Sequence, residues 1–195
     1  YYFRLLWIGV NGMAWTYFVV GRGSIGRRHA ANLQDLGKTV EHFAWRGFDA
    51  EVFSSSIARC DGQAAVIIAT ATDVRSELVE MCAASNVPMY IEKPLAFTQS
   101  DVDVIYGIEM SLQKRSMVGF MLRYHPLTRF LSEFDGSDFF RLHFEVGHDV
   151  RQWRKNWSFP KSYAARAKGG GVLLDLCHEV DLARVICPSL ELSAV

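Results

Sequence analysis

Hydrophobic residues in the N-terminal half alternate between short apolar runs and segments with helical spacing. The apolar runs predict strands at Tyr17–Val20, Thr39–Ala44, Ala65–Ile68 and Val87–Ile91. Between these runs, the spacing predicts helices over 25–36, 49–60, 72–84 and about 100–115, with Asp49 and either Thr72 or Asp73 as N-caps. A strand–helix series of this kind predicts an α/β architecture, in which a doubly wound parallel sheet is covered by helices on both faces.

The pattern changes near residue 118, where we predict a domain boundary. Beyond it, the sequence predicts strands at Met117–Met121 and Phe139–His148, a short helix at Pro126–Phe134, and a new strand from Leu190. The Phe139–His148 strand interleaves polar and apolar residues, as in a sheet with one exposed face. Three glycines, Gly169 to Gly171, are predicted to open a helix that continues to about Ile186. We therefore divide the chain into domains at 13–118 and 119–195.

Composition excludes several classes of protein. Among the 195 residues, Lys plus Arg equals Asp plus Glu at 21 each, so a general role on nucleic acid or on a membrane surface is not expected. The four cysteines have no Cys-x-x-Cys spacing, which predicts reduced thiols of a cytoplasmic protein and neither a metal site nor a disulfide framework. Half of the residues are hydrophobic, which is enough to form a packed core.

The N-terminal residues are apolar enough to resemble a signal anchor. Residues 5–21 follow Arg4, but Asn11, Gly12 and Thr16 interrupt the apolar run. The run also leads directly into a glycine motif that needs a strand before it. We therefore expect the first domain to begin near Met13, with residues 1–12 as an extension.

That glycine motif, Gly21-x-Gly23-x-x-Gly26, follows the first predicted strand and opens the first predicted helix. Its glycines would permit the turn, the approach of a pyrophosphate to the backbone, and close helix–strand packing. The helix N-terminus would face the anion. A glycine-rich turn without a ligand is the alternative, but the context favours a Rossmann dinucleotide-binding domain over 13–118. Its predicted cofactor residues are Gly21, Gly23, Ser24, Ile25 and Gly26.

The end of the second predicted strand should select between NAD and NADP. An Asp or Glu at this point would bind the ribose 2′-hydroxyl, but the sequence reads Ala44-Trp45-Arg46-Gly47. Arg46 lies 20 residues after Gly26, and a guanidinium there suits a 2′-phosphate. We predict NADP as the preferred cofactor, with NAD as the alternative.

Two further segments carry candidate proton-transfer chemistry. Glu92-Lys93-Pro94 follows the fourth predicted strand, so Lys93 would lie at the carboxyl edge of the sheet, where ligands bind. Lys93 is either paired and structural, or a proton carrier with a depressed pKa. On the helix after the three glycines, Asp175, His178 and Asp181 follow one another at i, i+3 and i+6, near one stripe. Each carboxylate could orient the His178 ring, although a dipole partner and an ordinary polar residue would fit the same pattern.

Taken in this order, the segments resemble the Gfo/Idh/MocA (glucose–fructose oxidoreductase / inositol dehydrogenase) oxidoreductases. The motifs that carry the resemblance are Gly21-x-Gly23-x-x-Gly26-x-x-His29, Ala69-Thr70, Glu92-Lys93-Pro94, Gly119-Phe120, Arg123-Tyr124-His125-Pro126 and the run from Gly169 to Asp181. The resemblance implies hydride transfer between NAD(P) and a sugar-like or polyol alcohol or ketone. It also implies that 119–195 is part of an α+β domain with an open, mostly antiparallel sheet.

The same resemblance implies roles for individual residues. His178 would take the hydroxyl proton, Lys93 would hydrogen-bond the same oxygen, and Asp175 would orient the substrate or the histidine. Thr70, Glu92 and Lys93 would line the cofactor. The predicted substrate residues are Lys93, Arg123, Trp153, Asp175 and His178. The alternative for the aromatic segment around Trp153 is a loop packed on the core.

Three departures from the family pattern limit these expectations. Ala71 and Arg75 stand where the family often has Pro and His. The spacing of three between Asp175 and His178 matches only a subgroup of the family. The second domain is also short for the family, so we expect a chain truncated at its C-terminus. Without the family's large sheet, through which a homo-oligomer would assemble, the alternative function is a non-catalytic, truncated or regulatory NAD(P)-binding protein.

Overall fold

The computed structural model describes residues 14–134, 139–149, 152, 158–167, 169–189 and 191. The chain divides into two compact units, and the division falls between Gly119 and Phe120. The assignment of the predicted domains to a cofactor and a substrate stays a prediction. The expectations for 1–12, for Trp153 and for a strand from Leu190 lie outside the described residues.

The first unit contains a parallel sheet of five strands in the order β2-β1-β3-β4-β5. The strands are β1 Thr16–Val20, β2 Thr39–Phe43, β3 Ala64–Ile68, β4 Met89–Ile91 and β5 Met117–Val118. The chain leaves β1 toward β2 on one side and then crosses to β3 on the other side. The carboxyl ends of β1 and β3 therefore form the topological switch point where doubly wound sheets bind ligands.

Between residues 14 and 119, five α-helices accompany this sheet, and they confirm the α/β class. They are α1 Ser24–Asp35, α2 Ala50–Ala58, α3 Arg75–Ala84, α4 Gln99–Tyr106 and α5 Met110–Lys114. The single helix expected over 100–115 is in fact the pair α4 and α5. Gly107 ends α4 by donating its N–H to the carbonyls of Asp103 and Val104, in keeping with the low helix propensity of glycine.

The two faces of the sheet bury two separate sets of side chains. On one face, Phe18, Val66 and Ile68 pack with residues of α2, α3, α4 and α5. On the other face, Val19 and Ile67 pack with Ala30 and Leu33 of α1. Because helices cover both faces, the central strand β3 is buried at every position.

The helix N-caps predicted from the sequence have different outcomes. The prediction for Asp49 is confirmed, since its Oδ1 accepts hydrogen bonds from the N–H groups of Glu51 and Val52, both at 3.0 Å. The N-cap predicted at Thr72 or Asp73 is wrong. Thr72–Val74 is a 3₁₀ turn that precedes α3, and the Thr72 carbonyl already accepts from the Arg75 N–H.

The second unit is helical in the residues that the structure describes. Its α-helices are α6 Pro126–Leu131, α7 Val172–Asp175 and α8 His178–Ile186, with 3₁₀ turns at Met121–Tyr124, Phe159–Lys161 and Tyr163–Ala165. The predicted strand at Phe139–His148 is wrong, since these residues form no strand and Phe140 is fully exposed. A strand needs a hydrogen-bonding neighbour, and the described part of this unit contains no other strand. The expected antiparallel sheet therefore has no counterpart among these residues.

Within the described residues, the helices are too short or too polar to cross a lipid bilayer.

Candidate functional site

The glycine motif forms a tight turn between β1 and α1, and two of its glycines are required by the fold. Gly21 has φ +119°, and a Cβ atom there would lie 2.4 Å from the Ala69 carbonyl oxygen. A Cβ atom at Gly26 would lie 1.7 Å from the Gly21 carbonyl oxygen. Neither position can hold a side chain, because α1 packs directly against the ends of β1 and β3.

Gly23 differs from these two glycines. Its φ of −69° and ψ of −178° are open to any residue, and a Cβ atom would meet nothing within 4 Å. The fold itself therefore does not need glycine at this position. A glycine exposed at the switch point is instead suited to a ligand that must touch the backbone.

The N-terminus of α1 is electrostatically suited to an anion. Gly23 is the N-cap, no side chain caps the helix, and its first turn contains no acidic residue. The N–H groups of Ser24 and Ile25 therefore begin a helix of 12 residues whose positive dipole end is not neutralised by the chain. Such an end binds phosphate groups through backbone N–H donors. The residues present thus fit a pyrophosphate.

At the carboxyl end of β2, the side chains are cationic or already bound. Arg22 donates through Nη2 to the His42 carbonyl at 2.7 Å. The His42 ring Nε2 lies 3.0 Å from the Gly21 carbonyl oxygen and must donate to it, since that oxygen only accepts. Arg46 is exposed in the turn after β2. Asp49, which follows this turn, is already engaged as the α2 cap.

The ends of β3 and β4 are joined by a buried guanidinium. Arg75 is only 4% exposed and begins α3. Its Nη2 donates to the Thr70 carbonyl at 2.8 Å, and its Nη1 donates to the Glu92 carbonyl at 2.5 Å and to the Pro94 carbonyl. The residue that departs from the family pattern therefore fixes the backbone on both sides of Lys93.

The carboxylate of Glu92 is held by α1. His29 Nε2 lies 2.7 Å from Glu92 Oε1, and both side chains are 16% exposed. The His29 ring also packs edge-on against Tyr90 at a centroid distance of 5.1 Å. Lys93, next in sequence, is half-buried. Glu92 was predicted to line the cofactor, and its described carboxylate contact is with His29.

Thr70 lies at the same edge of the sheet, directly after β3. The side chain is 9% exposed, and its hydroxyl oxygen has no hydrogen-bond partner among the described residues. Buried hydroxyl groups normally have a partner. This is a second feature of the switch point that fits a polar ligand.

In the second unit, the predicted catalytic residues lie at a break between two helices. Asp175 is the last residue of α7 and is buried, while His178 is the first residue of α8 and is half-buried. Leu176 interrupts the helical conformation with φ −111° and ψ 35°. The expectation that Asp175, His178 and Asp181 form one stripe of one helix is therefore wrong, because the i, i+3 rule holds only within a continuous helix.

Asp181 is bound to Arg123 and not to the histidine. Arg123 Nε lies 2.8 Å from Oδ2 and 3.0 Å from Oδ1 of Asp181, and Nη2 also donates to Oδ1. The hydrogen bond to Asp181 raises the pKa of Arg123 further above its usual value. The Arg123 guanidinium lies 5.5 Å from the Phe120 ring centroid, and the His178 ring packs edge-on against the same ring at 5.9 Å. Phe120 thus supports both polar residues.

The remaining polar groups add no second centre within the described part of the chain. There, no three His, Cys, Asp or Glu side chains are placed to share a metal ion. Cys60, Cys82, Cys177 and Cys187 form no disulfide with one another.

Two residues of this geometry were missed as functional partners. Arg75 was visible only as a departure from the family pattern, and nothing in its local sequence indicates the three carbonyls that it binds. His29 belongs to the glycine motif of the sequence, but its pairing with Glu92 depends on the packing of α1 against the sheet.

Comparison with known proteins supports the resemblance derived from the motifs. No family model matches the chain. The chain is 32% identical over 123 residues to the inositol 2-dehydrogenase of Rubrobacter xylanophilus, a match that covers 55% of this chain and 35% of that protein. The chain therefore spans about a third of the length of this curated relative.

Solved structures share the fold at low sequence identity. The WlbA dehydrogenase of Thermus thermophilus, solved with NAD and UDP-GlcNAcA, has a TM-score of 0.63 at 19% identity, covering 89% of this chain and 63% of that one. The scyllo-inositol dehydrogenase of Lactobacillus casei has a TM-score of 0.59 at 17% identity, covering 90% and 56%. The resemblance to the Gfo/Idh/MocA oxidoreductases that the sequence motifs indicate is confirmed, since the chain is similar in sequence to an inositol dehydrogenase and in fold to sugar and inositol dehydrogenases.

Proposed function

We propose that this chain is part of an NAD(P)-dependent oxidoreductase that transfers a hydride between the nicotinamide and a sugar-like or polyol alcohol or ketone. The observation that carries the proposal is Gly23, which sits in open space with a backbone conformation that any residue could adopt. A glycine that the fold does not need, at an uncapped helix N-terminus, fits the approach of a pyrophosphate.

The nicotinamide, when bound, supplies the hydride chemistry, and the residues of the chain handle the proton and the substrate. In the proposal, His178 takes the hydroxyl proton and Lys93 donates a hydrogen bond to the same oxygen. Asp175 orients the substrate or the His178 ring. The three carbonyl contacts of Arg75 support this assignment, because they fix the backbone around Lys93.

The proposed substrate class comes from the similar proteins, which include two inositol dehydrogenases and a dehydrogenase solved with UDP-GlcNAcA. A cyclic polyol or a sugar nucleotide is therefore the substrate that we propose. Substrate contacts by Arg123 and Trp153 belong to the same proposal. A cytoplasmic location and a homo-oligomer stay predictions.

Cofactor binding is the first test. Thermal unfolding of the wild-type chain should shift upward with NADP or NAD, because a ligand at a hundredfold excess over its Kd stabilises the folded state by about 2.7 kcal/mol. Gly23→Val should unfold at nearly the wild-type temperature without ligand and lose the shift. If neither dinucleotide shifts the wild-type transition, the proposal is wrong.

Turnover is the second test. The wild-type chain should reduce NADP or NAD in the presence of a cyclic polyol such as myo-inositol or scyllo-inositol, and Lys93→Met should lose this activity while retaining the thermal shift. Dinucleotide binding without turnover on any member of such a panel would favour the non-catalytic alternative. Unfolding of Lys93→Met would favour a structural role for Lys93.

We also propose NADP as the preferred cofactor. The support is the exposed guanidinium of Arg46 after β2 and the absence of a carboxylate from the run Ala44-Trp45-Arg46-Gly47. Tighter binding of NAD than of NADP would contradict this preference.

A further inference from the structure

We infer that Arg22, in the glycine motif itself, is a second specificity-determining residue that binds the 2′-phosphate of NADP. This inference rests on the proposed function, because it requires a dinucleotide at the switch point. Arg46, in the turn after β2, is already proposed to bind the 2′-phosphate. The inference adds Arg22, which lies outside that turn, as a second residue that binds the same group.

The position of the Arg22 side chain carries the inference. Its backbone lies at the end of β1, but its guanidinium reaches across to β2, where Nη2 donates to the His42 carbonyl at 2.7 Å. His42 is the residue before the last position of β2. The carboxyl end of this strand is where a Rossmann domain meets the adenosine ribose and its 2′-substituent.

Two further contacts fix the backbone from which the Arg22 side chain extends. Arg27 Nη1 donates to the Arg22 carbonyl at 2.6 Å, which ties the backbone of the motif to the first turn of α1. The His42 ring donates to the Gly21 carbonyl at 3.0 Å, which ties the motif to β2. With the backbone fixed and the guanidinium oriented by the His42 carbonyl, Arg22 loses less conformational freedom when it binds an anion.

The charges around Arg22 favour an added phosphate over a ribose hydroxyl. Only one of its five N–H donors is used by the described contact, so the remaining donors can meet phosphate oxygens in a fork. Glu41 points to the opposite face of the sheet from His42, since successive residues of a strand alternate. The Asp49 carboxylate caps α2. Neither carboxylate is therefore placed to neutralise Arg22.

The experiment measures dinucleotide affinity directly, by titration of NADPH and NADH fluorescence and by competition with 2′,5′-ADP and 5′-AMP. Arg22→Ala should lower the affinity for NADPH and for 2′,5′-ADP by about tenfold or more, because charge-assisted hydrogen bonds to a phosphate are lost. NADH and 5′-AMP, which have no 2′-phosphate, should change by less than about twofold. Arg22→Lys should fall between Arg22→Ala and the wild type, since it retains the charge but not the fork.

Lys38→Ala is the matched control. Lys38 is an exposed cation directly before β2, at the amino end of the same strand, so its removal lowers the net charge equally without touching the inferred site. If both variants weakened NADPH binding equally, the effect would come from net charge alone, and the inference would be overturned. The inference would also be overturned if Arg22→Ala lost affinity for NADH and NADPH equally, because Arg22 would then bind the pyrophosphate that both share. If the wild-type chain binds no dinucleotide at all, the proposed function itself fails, and this outcome is distinct from a failure of Arg22 alone.

Discussion

The glycine motif of the first unit and the α7–α8 segment of the second unit both present candidate chemistry, but different forces hold them. The turn from Gly21 to Gly26 is fixed by contact between backbone atoms, with no room for a Cβ atom at its first or last position. The α7–α8 segment breaks between Asp175 and His178, and its described ionic support is the Arg123–Asp181 pair.

The difference shows in what each region can tolerate. Contacts between backbone atoms cannot be relieved by moving a side chain, so a side chain added at Gly21 or Gly26 would force the backbone itself to move. An ion pair in which the Arg123 side chain is 48% exposed can exchange with water at modest cost. We therefore expect substitutions in the first unit to act on folding as a whole, and substitutions in the second unit to act locally.

The largest effect should come from Gly26→Ala. The added Cβ atom would lie 1.7 Å from the Gly21 carbonyl oxygen, so we expect a loss of more than about 4 kcal/mol in the free energy of unfolding. Chemical denaturation followed by circular dichroism would measure it. Gly23→Ala is the control, since its Cβ atom meets nothing within 4 Å and the change at this N-cap should cost less than about 1 kcal/mol. Equal stability of the two variants would remove the steric distinction that we draw within the motif.

Arg75→Met should come next, with a loss of about 3 kcal/mol. The change deprives the carbonyls of Thr70, Glu92 and Pro94 of their buried donor. Arg59→Met is the matched control, because the guanidinium of Arg59, the C-cap of α2, makes a single described hydrogen bond, to the Ser56 hydroxyl one turn earlier. Urea denaturation of the two variants would test this order. A loss from Arg59→Met as large as that from Arg75→Met would show that the three-carbonyl contact contributes little.

Asp181→Asn should have a smaller and more local effect, of about 1–2 kcal/mol, since the partly exposed Arg123 can turn to water. Hydrogen exchange should speed up at the amides of α8 and stay unchanged in β1 and β3. Arg184→Gln, an exposed change on α8, should alter neither region. Faster exchange throughout the sheet after Asp181→Asn would contradict the local character of the second unit.

Alkaline pH should destabilise the first unit through the buried thiol of Cys82. Burial raises the pKa of Cys82 from 9.0 to about 12. The folded state therefore favours the neutral thiol, and the stability that this contributes is complete below pH 9.0 and is lost as the pH rises toward about 12. Within this window the unfolding free energy of the wild type should fall, relative to Cys82→Ala, by about 1.4 kcal/mol per pH unit. Identical slopes for the wild type and Cys82→Ala would refute the assignment.

Much of the first unit could be predicted because its information is local. The apolar runs at β1, β3 and β4, the Asp49 cap and the glycine motif each involve neighbouring residues, whose propensities act in the same direction. Prediction failed where a distant partner decides the outcome. The alternation over Phe139–His148 suits a strand, but without a neighbouring strand among the described residues it forms none.

The candidate site shows the same division. Lys93 and His178 could be chosen from the sequence, because each motif lies in a contiguous segment. The hydrogen-bond partners of the neighbouring carboxylates could not be predicted from the sequence, since a carboxylate can accept from any donor that the fold brings to it. The sequence predicts Asp181 as a partner of His178, three residues away, but Asp181 binds Arg123, which is 58 residues away.

By itself, the sequence determined the order of strands and helices, the parallel sheet, the glycine turn and the family that the chain resembles. These follow from side-chain periodicity and from the steric demands of neighbouring residues. The tertiary structure alone decided that Arg75 fixes the backbone around Lys93, that Glu92 meets His29, and that Arg22 reaches the end of β2. The physical reason is that a buried or half-buried charge takes the nearest donor or acceptor in space, and strand order and helix packing determine which group that is.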